Sequence, residues 1–225
     1  MAFDTKTFRT RTLTAVFFAA VMLTGLLWNQ WSFIILFTII HFGCWYEFIR
    51  LVKKINPIYF RSITSLGLFY ITLPILLMLL LGTSSFTGAY DNFPQLIPCG
   101  IIFSIWINDT MAYVVGSFIG KNPLSKISPK KTWEGTIGGI ILSVVVITLI
   151  GKASNTYSWQ HWMAISFCCA VAGTFGDLLE SKIKRMAKVK DSGSLMPGHG
   201  GFLDRFDSML IAIPFVFLYY FLFIR

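Results

Sequence analysis

Seven apolar runs, each near the length of a membrane span, most constrain what this chain can fold into. They lie at about residues 12–28, 31–48, 62–81, 96–119, 135–150, 159–180 and 206–224. An α-helix rises 1.5 Å per residue, so about 20 apolar residues cross the roughly 30 Å hydrocarbon core of a bilayer. The sequence therefore predicts an all-α fold: a polytopic membrane helix bundle with about seven transmembrane helices, within a range of about six to nine.

Composition excludes an ordinary water-soluble domain. Hydrophobic residues make up 55% of the 225 residues and charged residues only 13%, whereas soluble domains carry roughly 25% charged residues. Too few polar side chains are present to cover a water-facing surface, so we expect lipid to surround the chain. The first run follows basic residues, as in a signal peptide, but the bulky and polar residues 27–31 offer no small-residue cleavage site, so we expect a retained helix.

Basic residues predict the orientation in the membrane. Of the 19 Lys and Arg residues, 17 fall in the segments 1–12, 49–61, 120–134 and 181–205, which lie on one side of a seven-span bundle. Cytoplasmic loops retain positive charge, so we expect these segments to face the cytoplasm from the plasma (inner) membrane. Because the net charge of +9 is not gathered on a soluble face, it favours anionic lipid and nucleotide phosphates as partners and does not favour nucleic acid.

Acidic residues are concentrated in the second half of the chain. Seven of the ten Asp and Glu residues lie between positions 109 and 207. We therefore interpret residues 1–225 as a single membrane-embedded domain, in which 1–95 are mainly anchor helices and 96–225 form the catalytic half.

Two carboxylates within the apolar runs indicate function. Asp109 lies inside the fourth run and Asp177 near the end of the sixth. A carboxylate at the bilayer centre costs on the order of 2.5–3.5 kcal/mol, so such residues usually face the bundle interior and serve a function. The positions of Asp177, Glu180, Ser181 and Lys184 place all four on one helical face, although Glu180 and Lys184 alone would also form an ordinary i, i+4 pair.

A second acidic pair and a glycine-rich turn follow. Asp204 and Asp207 are three residues apart at the start of the seventh run, and oxygen ligands of this kind favour a hard cation such as Mg²⁺. The preceding turn, PGHGG (197–201), allows the backbone to approach a phosphate closely. His199 within it either contacts a phosphate or is structural.

A basic cluster precedes the fifth run, in SPKKTWEGTIGG (128–139). Lys130 and Lys131 are expected to bind phosphate as point charges. Glu134 could cap the helix, coordinate a metal or orient a lysine.

Together these strings carry a family resemblance. SKIKRMAKVKDSGSLMPGHGGFLDRFD (181–207) resembles the signature of the phosphatidate cytidylyltransferase family, with Met196 a minor departure. NDTMAYVVGSFIGK (108–121), SPKKTWEG (128–135) and GDLLESKIKR (176–185) are similar to other strings of that family. The resemblance covers about 100 residues, roughly 108–207, and leaves the first three runs unaccounted for.

The resemblance implies a Mg²⁺-dependent transfer of CMP from CTP to phosphatidic acid, which gives CDP-diacylglycerol and pyrophosphate without a covalent enzyme intermediate. It implies that Asp177, Asp204 and Asp207 hold the metal and that Lys184 and Arg205 act with them in catalysis. The implied substrate-binding residues are Asp109, Lys130, Lys131, Glu134, Ser181, Arg185, Lys190, Asp191, His199, Gly200 and Gly201. A second cation shared with Asp109 or Glu180 stays open, as does the choice between a monomer and a homodimer.

The sequence leaves two alternative functions open. A related enzyme could transfer CMP to another lipid phosphate, such as an archaeal ether lipid, because the sequence does not reveal the groove for the apolar tail. An ion-coupled transporter also places carboxylates in helices, but it predicts broken helices near the midplane in two related halves, whereas the polar residues here cluster on one side.

Overall fold

A bundle of long helices forms the fold. The computed structural model describes residues 5–83, 95–193 and 200–225, and of residues 5–11 it describes the backbone alone. Seven helices occupy these ranges: α1 Thr5–Leu27, α2 Gln30–Ile55, α3 Phe60–Leu81, α4 Leu96–Ile119, α5 Trp133–Ser154, α6 Trp159–Met186 and α7 Leu203–Phe223. Within the described ranges the only β pairing is an isolated bridge between Pro123 and Thr132. The predicted all-α class is confirmed.

Six of these helices, α2 to α7, are long and apolar enough to cross a membrane, as judged over the described residues. The apolar part of α1, Thr12–Leu27, is shorter. Large apolar side chains such as Phe17, Phe69 and Phe118 lie exposed on the outside of the bundle. A surface of this kind is stable in lipid and not in water, so the chain is a membrane protein.

Local sequence explains where several helices begin and end. Asn29 and Ser32 form a reciprocal capping box at the start of α2, which satisfies backbone donors that have no partner inside the helix. The Thr132 side chain accepts a hydrogen bond from the Gly135 amide at the start of α5. The left-handed backbone of Asn155 (φ 55°) ends that helix.

Glycines bring α4 and α5 into close contact. A Cβ atom at Gly139 would lie 2.8 Å from the Asn108 carbonyl oxygen, and one at Gly135 would lie 2.9 Å from the Gly116 Cα atom. Such small-residue contacts let two membrane helices approach backbone to backbone. The contact places Asp109 on α4 beside the segment that leads into α5.

A similar contact joins α6 to α7. A Cβ atom at Gly176 would lie 2.9 Å from the Ser208 Cα atom. Because Asp177 and Asp207 adjoin the two contacting residues, the crossing point of these helices brings the two carboxylates into one region.

Candidate active site

The sequence-predicted residues gather in two neighbouring places. A polar cavity lies between α4, α5 and α6 and the segment before α5. A group that we call the signature cluster, made of Glu47, Glu180, Lys184, Ser192 and Asp204, lies where α6 ends and α7 begins. Salt bridges and side-chain hydrogen bonds connect the members of each place.

The polar cavity has a volume of about 470 Å³, and Asp109, Ser128, Lys130, Lys131 and Asp177 are among the residues that line it. This volume lies within the range of sites that bind small molecules. Two lysines and two carboxylates facing one space suit a ligand that carries both phosphate groups and a cation.

Lys131 and Asp177 form a salt bridge across this cavity. Their side chains are 34% and 26% exposed, respectively, and a half-exposed pair contributes at most about 1 kcal/mol to stability. Among the described residues, the one hydrogen-bond contact of the Asp109 carboxylate is a long one of 3.4 Å from the Asn108 side-chain amide. Opening the salt bridge therefore costs little and would release a lysine for a phosphate and a carboxylate for a cation.

Asp204 is the centre of the signature cluster. Its Oδ1 accepts a hydrogen bond from Lys184 Nζ at 2.6 Å. Its Oδ2 accepts from the Ser192 amide (2.9 Å) and the Gly201 amide (2.8 Å), and it lies 2.9 Å from the Ser192 hydroxyl, whose single proton it shares with Glu47. Gly200, with φ of +82°, adopts the left-handed conformation that this tight turn requires.

Lys184 links two helices. Its ammonium lies 2.6 Å from Glu180 on its own helix and 2.6 Å from Asp204 on α7. Glu180 is completely buried, and its Oε1 has no hydrogen-bond donor among the described residues. One ammonium therefore compensates two carboxylates.

Glu47 on α2 completes the cluster from the opposite side. The carboxylate is buried and accepts hydrogen bonds from the Ser192 hydroxyl (2.6 Å), the Phe202 amide (2.9 Å) and the Leu203 amide (2.9 Å). The sequence analysis does not predict Glu47 as a site residue, because it interprets residues 1–95 as mainly anchor helices. A single charged residue inside an apolar run was the available signal, since such residues are rarely placed there without a function.

Asp207 and Arg205 lie near both places. Asp207 is buried, accepts a hydrogen bond from the Ser208 amide at 2.6 Å and lies within range of the charges of Asp177, Glu180 and Asp109. Arg205 is exposed, interacts with the charge of Asp109 and lines a further cavity of about 360 Å³ beside α1 and α4.

The three predicted metal ligands are not brought into one ligand set. Within the described ranges, no three His, Cys, Asp or Glu side chains converge as a metal site, and Asp204 already receives three N–H donors and a share of the Ser192 hydroxyl proton. Asp177 and Asp207 each adjoin the close contact between Gly176 and Ser208, and their charges interact. Magnesium typically takes one or two carboxylates and completes its shell with water and substrate phosphates, so this pair fits a cation that arrives with a nucleotide.

The remaining predicted residues have different surroundings. Glu134 accepts hydrogen bonds from the Lys121 amide and from the amide and side chain of Asn122, and so holds the turn after α4. Arg185 donates to the Val189 carbonyl oxygen at 3.3 Å. Ser181 is half-buried, Lys190 and Asp191 are exposed after α6, and His199 lies outside the described residues.

An apolar groove of about 530 Å³ adjoins the signature cluster. It lies between α1 and α2, and Phe202 and Phe206 of the α7 start also line it. Leu13 and Met22 line it on α1, and Leu36 and Ile39 on α2. Met22 lies nine positions after Leu13 on α1, which corresponds to about 13 Å along the helix axis.

Comparison with known proteins decides the family. The sequence profile of the Cytidylyltransferase family matches residues 59–223, which is more than half of the chain. The chain belongs to this family. The matched region contains every sequence-predicted site residue, and it begins after Glu47.

Individual curated relatives also match the chain. The chain is 44% identical over 115 residues to a phosphatidate cytidylyltransferase of Bacillus subtilis, covering 50% of this chain and 43% of that protein. It is 38% identical over 136 residues to one of Helicobacter pylori (60% and 51%) and 40% identical over 139 residues to one of Synechocystis (57% and 45%). The chain thus matches about half the length of these relatives.

Proposed function

We propose that this protein transfers CMP from CTP to phosphatidic acid, giving CDP-diacylglycerol and pyrophosphate. The observation that carries the proposal is the polar cavity, in which Lys130, Lys131 and Asp177 face one space beside the signature cluster. Membership of the cytidylyltransferase family and the printed names of the relatives support this choice of reaction.

The residues of the cavity, together with the buried Asp207 next to it, would act by binding and orienting the substrates. Lys130 and Lys131 would neutralise the triphosphate, and Asp177 and Asp207 would hold Mg²⁺. When bound, that cation supplies neutralisation of charge on the reacting phosphate and on the leaving pyrophosphate. Asp204 would be a third ligand only if it exchanged its hydrogen bonds from Lys184, Ser192 and Gly201 for a bond to the metal.

In the proposed step, a phosphate oxygen of phosphatidic acid attacks the α-phosphorus of CTP. A phosphorus–oxygen bond forms between the two substrates. The bond between the α-phosphorus and the oxygen that bridges the α- and β-phosphorus atoms breaks, and pyrophosphate leaves with the electron pair of that bond. No covalent enzyme intermediate is needed, so the enzyme would contribute positioning and electrostatic stabilisation.

The lipid substrate would approach from the side of α1 and α2. Arg205 is a cation beside the apolar groove, because its neighbours Phe202 and Phe206 line that groove. We infer that Arg205 binds the phosphate of the lipid while one acyl chain lies in the groove. The basic segments at this end of the bundle favour a site that faces the cytoplasm from the plasma (inner) membrane.

Purified protein in detergent, supplied with phosphatidic acid, labelled CTP and Mg²⁺, tests the proposal. We expect labelled CDP-diacylglycerol and one pyrophosphate per turnover. Absence of both products from a folded, monodisperse sample would contradict the proposed function. A parallel reaction with an ether-linked lipid phosphate tests the alternative substrate, which would be preferred if the enzyme belonged to that branch.

A further inference from the structure

We propose that Glu47 is a positioning residue: it holds Ser192 and the first turn of α7, and through them Asp204 and Arg205, in place relative to α6. The three hydrogen bonds that the carboxylate accepts come from Ser192, shortly after α6, and from Phe202 and Leu203 at the start of α7. These donors are about 145 to 156 positions away in the chain.

The surroundings of Glu47 are shaped around its carboxylate. A Cβ atom on Gly193 would meet the Glu47 carboxylate carbon at 2.7 Å, and one on Gly201 would overlap both carboxylate oxygens. The glycines at 193 and 201 therefore leave the space that the Glu47 carboxylate occupies. Side chains at Gly193 or Gly201 would displace the Glu47 carboxylate or the backbone that binds it.

Electrostatics also indicates a function beyond packing. Glu47 is only 3% exposed, and none of the salt bridges among the described residues includes it. Burial of a carboxylate without a cationic partner is unfavourable, and an apolar residue usually packs such a site at lower cost. Here two amides at the start of α7 compensate the charge, aided by the helix dipole.

Ser192 connects Glu47 to the sequence-predicted residues. Its hydroxyl lies 2.6 Å from a Glu47 oxygen and 2.9 Å from Asp204 Oδ2. Asp204 in turn contacts Lys184 on α6. A displacement of Glu47 would thus move the start of α7, which carries Arg205 and Asp207.

Glu47→Gln is a sharp test because both carboxylate oxygens accept a backbone amide. In glutamine one of these oxygens becomes an NH₂ group, which would face an N–H donor. We expect kcat per folded molecule to fall by about tenfold or more, since misplacement by about 1 Å can cost a hundredfold. The KM for CTP should change much less, because Lys130 and Lys131 lie in the separate cavity.

Ser166→Ala is the matched control. Ser166 is completely buried on α6 and contacts the Ser143 hydroxyl at 3.2 Å, and it lies about 16 Å along the helix from Asp177. This variant also loses a buried hydrogen bond, but it should keep the kcat of the unmodified protein. If Glu47→Gln yields no folded protein, Ser192→Ala, which removes one of the three donors, takes its place in both measurements.

Hydrogen–deuterium exchange at the Phe202 and Leu203 amides provides a readout that does not depend on activity. We expect faster exchange in Glu47→Gln and unchanged exchange in Ser166→Ala. Unchanged exchange in Glu47→Gln would overturn the proposal, as would faster exchange together with an unaltered kcat. The effect on turnover rests on the proposed function. If the unmodified protein forms no CDP-diacylglycerol, the proposed function fails. The exchange result would still decide whether Glu47 holds the start of α7.

Discussion

At the scale of single residues, the carboxylates divide into two kinds by the donors that they already have. Asp204 receives a lysine, two amides and a hydroxyl, so its role in this arrangement is to organise the turn before α7. Among the described residues, Asp177 pairs only with the partly exposed Lys131, and Asp207 accepts only the amide of the next residue. The latter two retain the capacity to bind a cation.

Asp177→Asn and Asp207→Asn should therefore change the response to magnesium. Each substitution removes one negative charge with little change in volume, so we expect a higher Mg²⁺ concentration for half-maximal turnover, or no turnover at any concentration. Steady-state rates across a Mg²⁺ titration check this in samples shown to be folded. An unchanged midpoint with normal rates in both variants would remove these residues from the metal site.

Asp204→Asn should behave differently. The asparagine side chain no longer carries the charge that pairs with Lys184, and its NH₂ group would face N–H groups that are themselves donors. The free energy of unfolding should therefore fall by about 1–3 kcal/mol. Turnover should also fall, but the Mg²⁺ midpoint should not move. Thermal unfolding and the same titration check both parts. A raised midpoint would show that Asp204 exchanges its donors for the metal and would restore it to the ligand set.

At the scale of helices, close contact of α4 with α5 brings the basic segment to Asp109. Gly139→Leu would place a side chain where the Asn108 carbonyl and Ala112 now lie, so we expect the two helices to separate and the melting temperature in detergent to fall by several degrees. Turnover should fall with it. Ile141→Leu, on the exposed side of the same helix at 57% exposure, should leave both unchanged. Equal melting temperatures for the two variants would contradict this view of the contact.

The groove between α1 and α2 provides the second prediction at this scale. Ile39 lines the groove and is 54% exposed, whereas Ile35, at 57%, is not among the lining residues. Ile39→Trp should narrow the groove and raise the ratio of kcat/KM for short-chain over long-chain phosphatidic acid, while Ile35→Trp should not. Competition between lipids of two chain lengths measures this ratio. The same ratio in both variants would exclude the groove as the acyl-chain site.

At the scale of the whole molecule, much of the fold could be predicted because hydrophobic runs report helix number directly. The predicted fourth span, 96–119, coincides with α4. Several helices extend beyond their apolar runs, among them α2 to Ile55 and α6 to Met186. These extensions are amphipathic, with Leu51 and Val52 buried beside exposed Lys53 and Lys54, so a search for uninterrupted hydrophobicity ends too early.

The site was less predictable because its contacts join distant parts of the chain. Helical spacing was enough to place Glu180 and Lys184 together, and the structure confirms that pair. No spacing rule connects Lys131 to Asp177, or Glu47 to Ser192, since these contacts depend on how helices cross. The pairing of Asp204 with Lys184 likewise follows from the approach of α7 to α6.

The orientation of the whole bundle is the last prediction. The segments 120–130 and 186–193 carry basic residues and lie at the end of the bundle that holds the polar cavity and the signature cluster. In a background without native cysteines, Lys126→Cys and Lys188→Cys should react with a membrane-impermeant thiol reagent only after the cytoplasmic face is opened, because positively charged loops stay inside. Ser158→Cys, at the opposite end between α5 and α6, should react in intact cells. Labelling of positions 126 and 188 from outside would overturn both the orientation and the access of the site to cytoplasmic CTP.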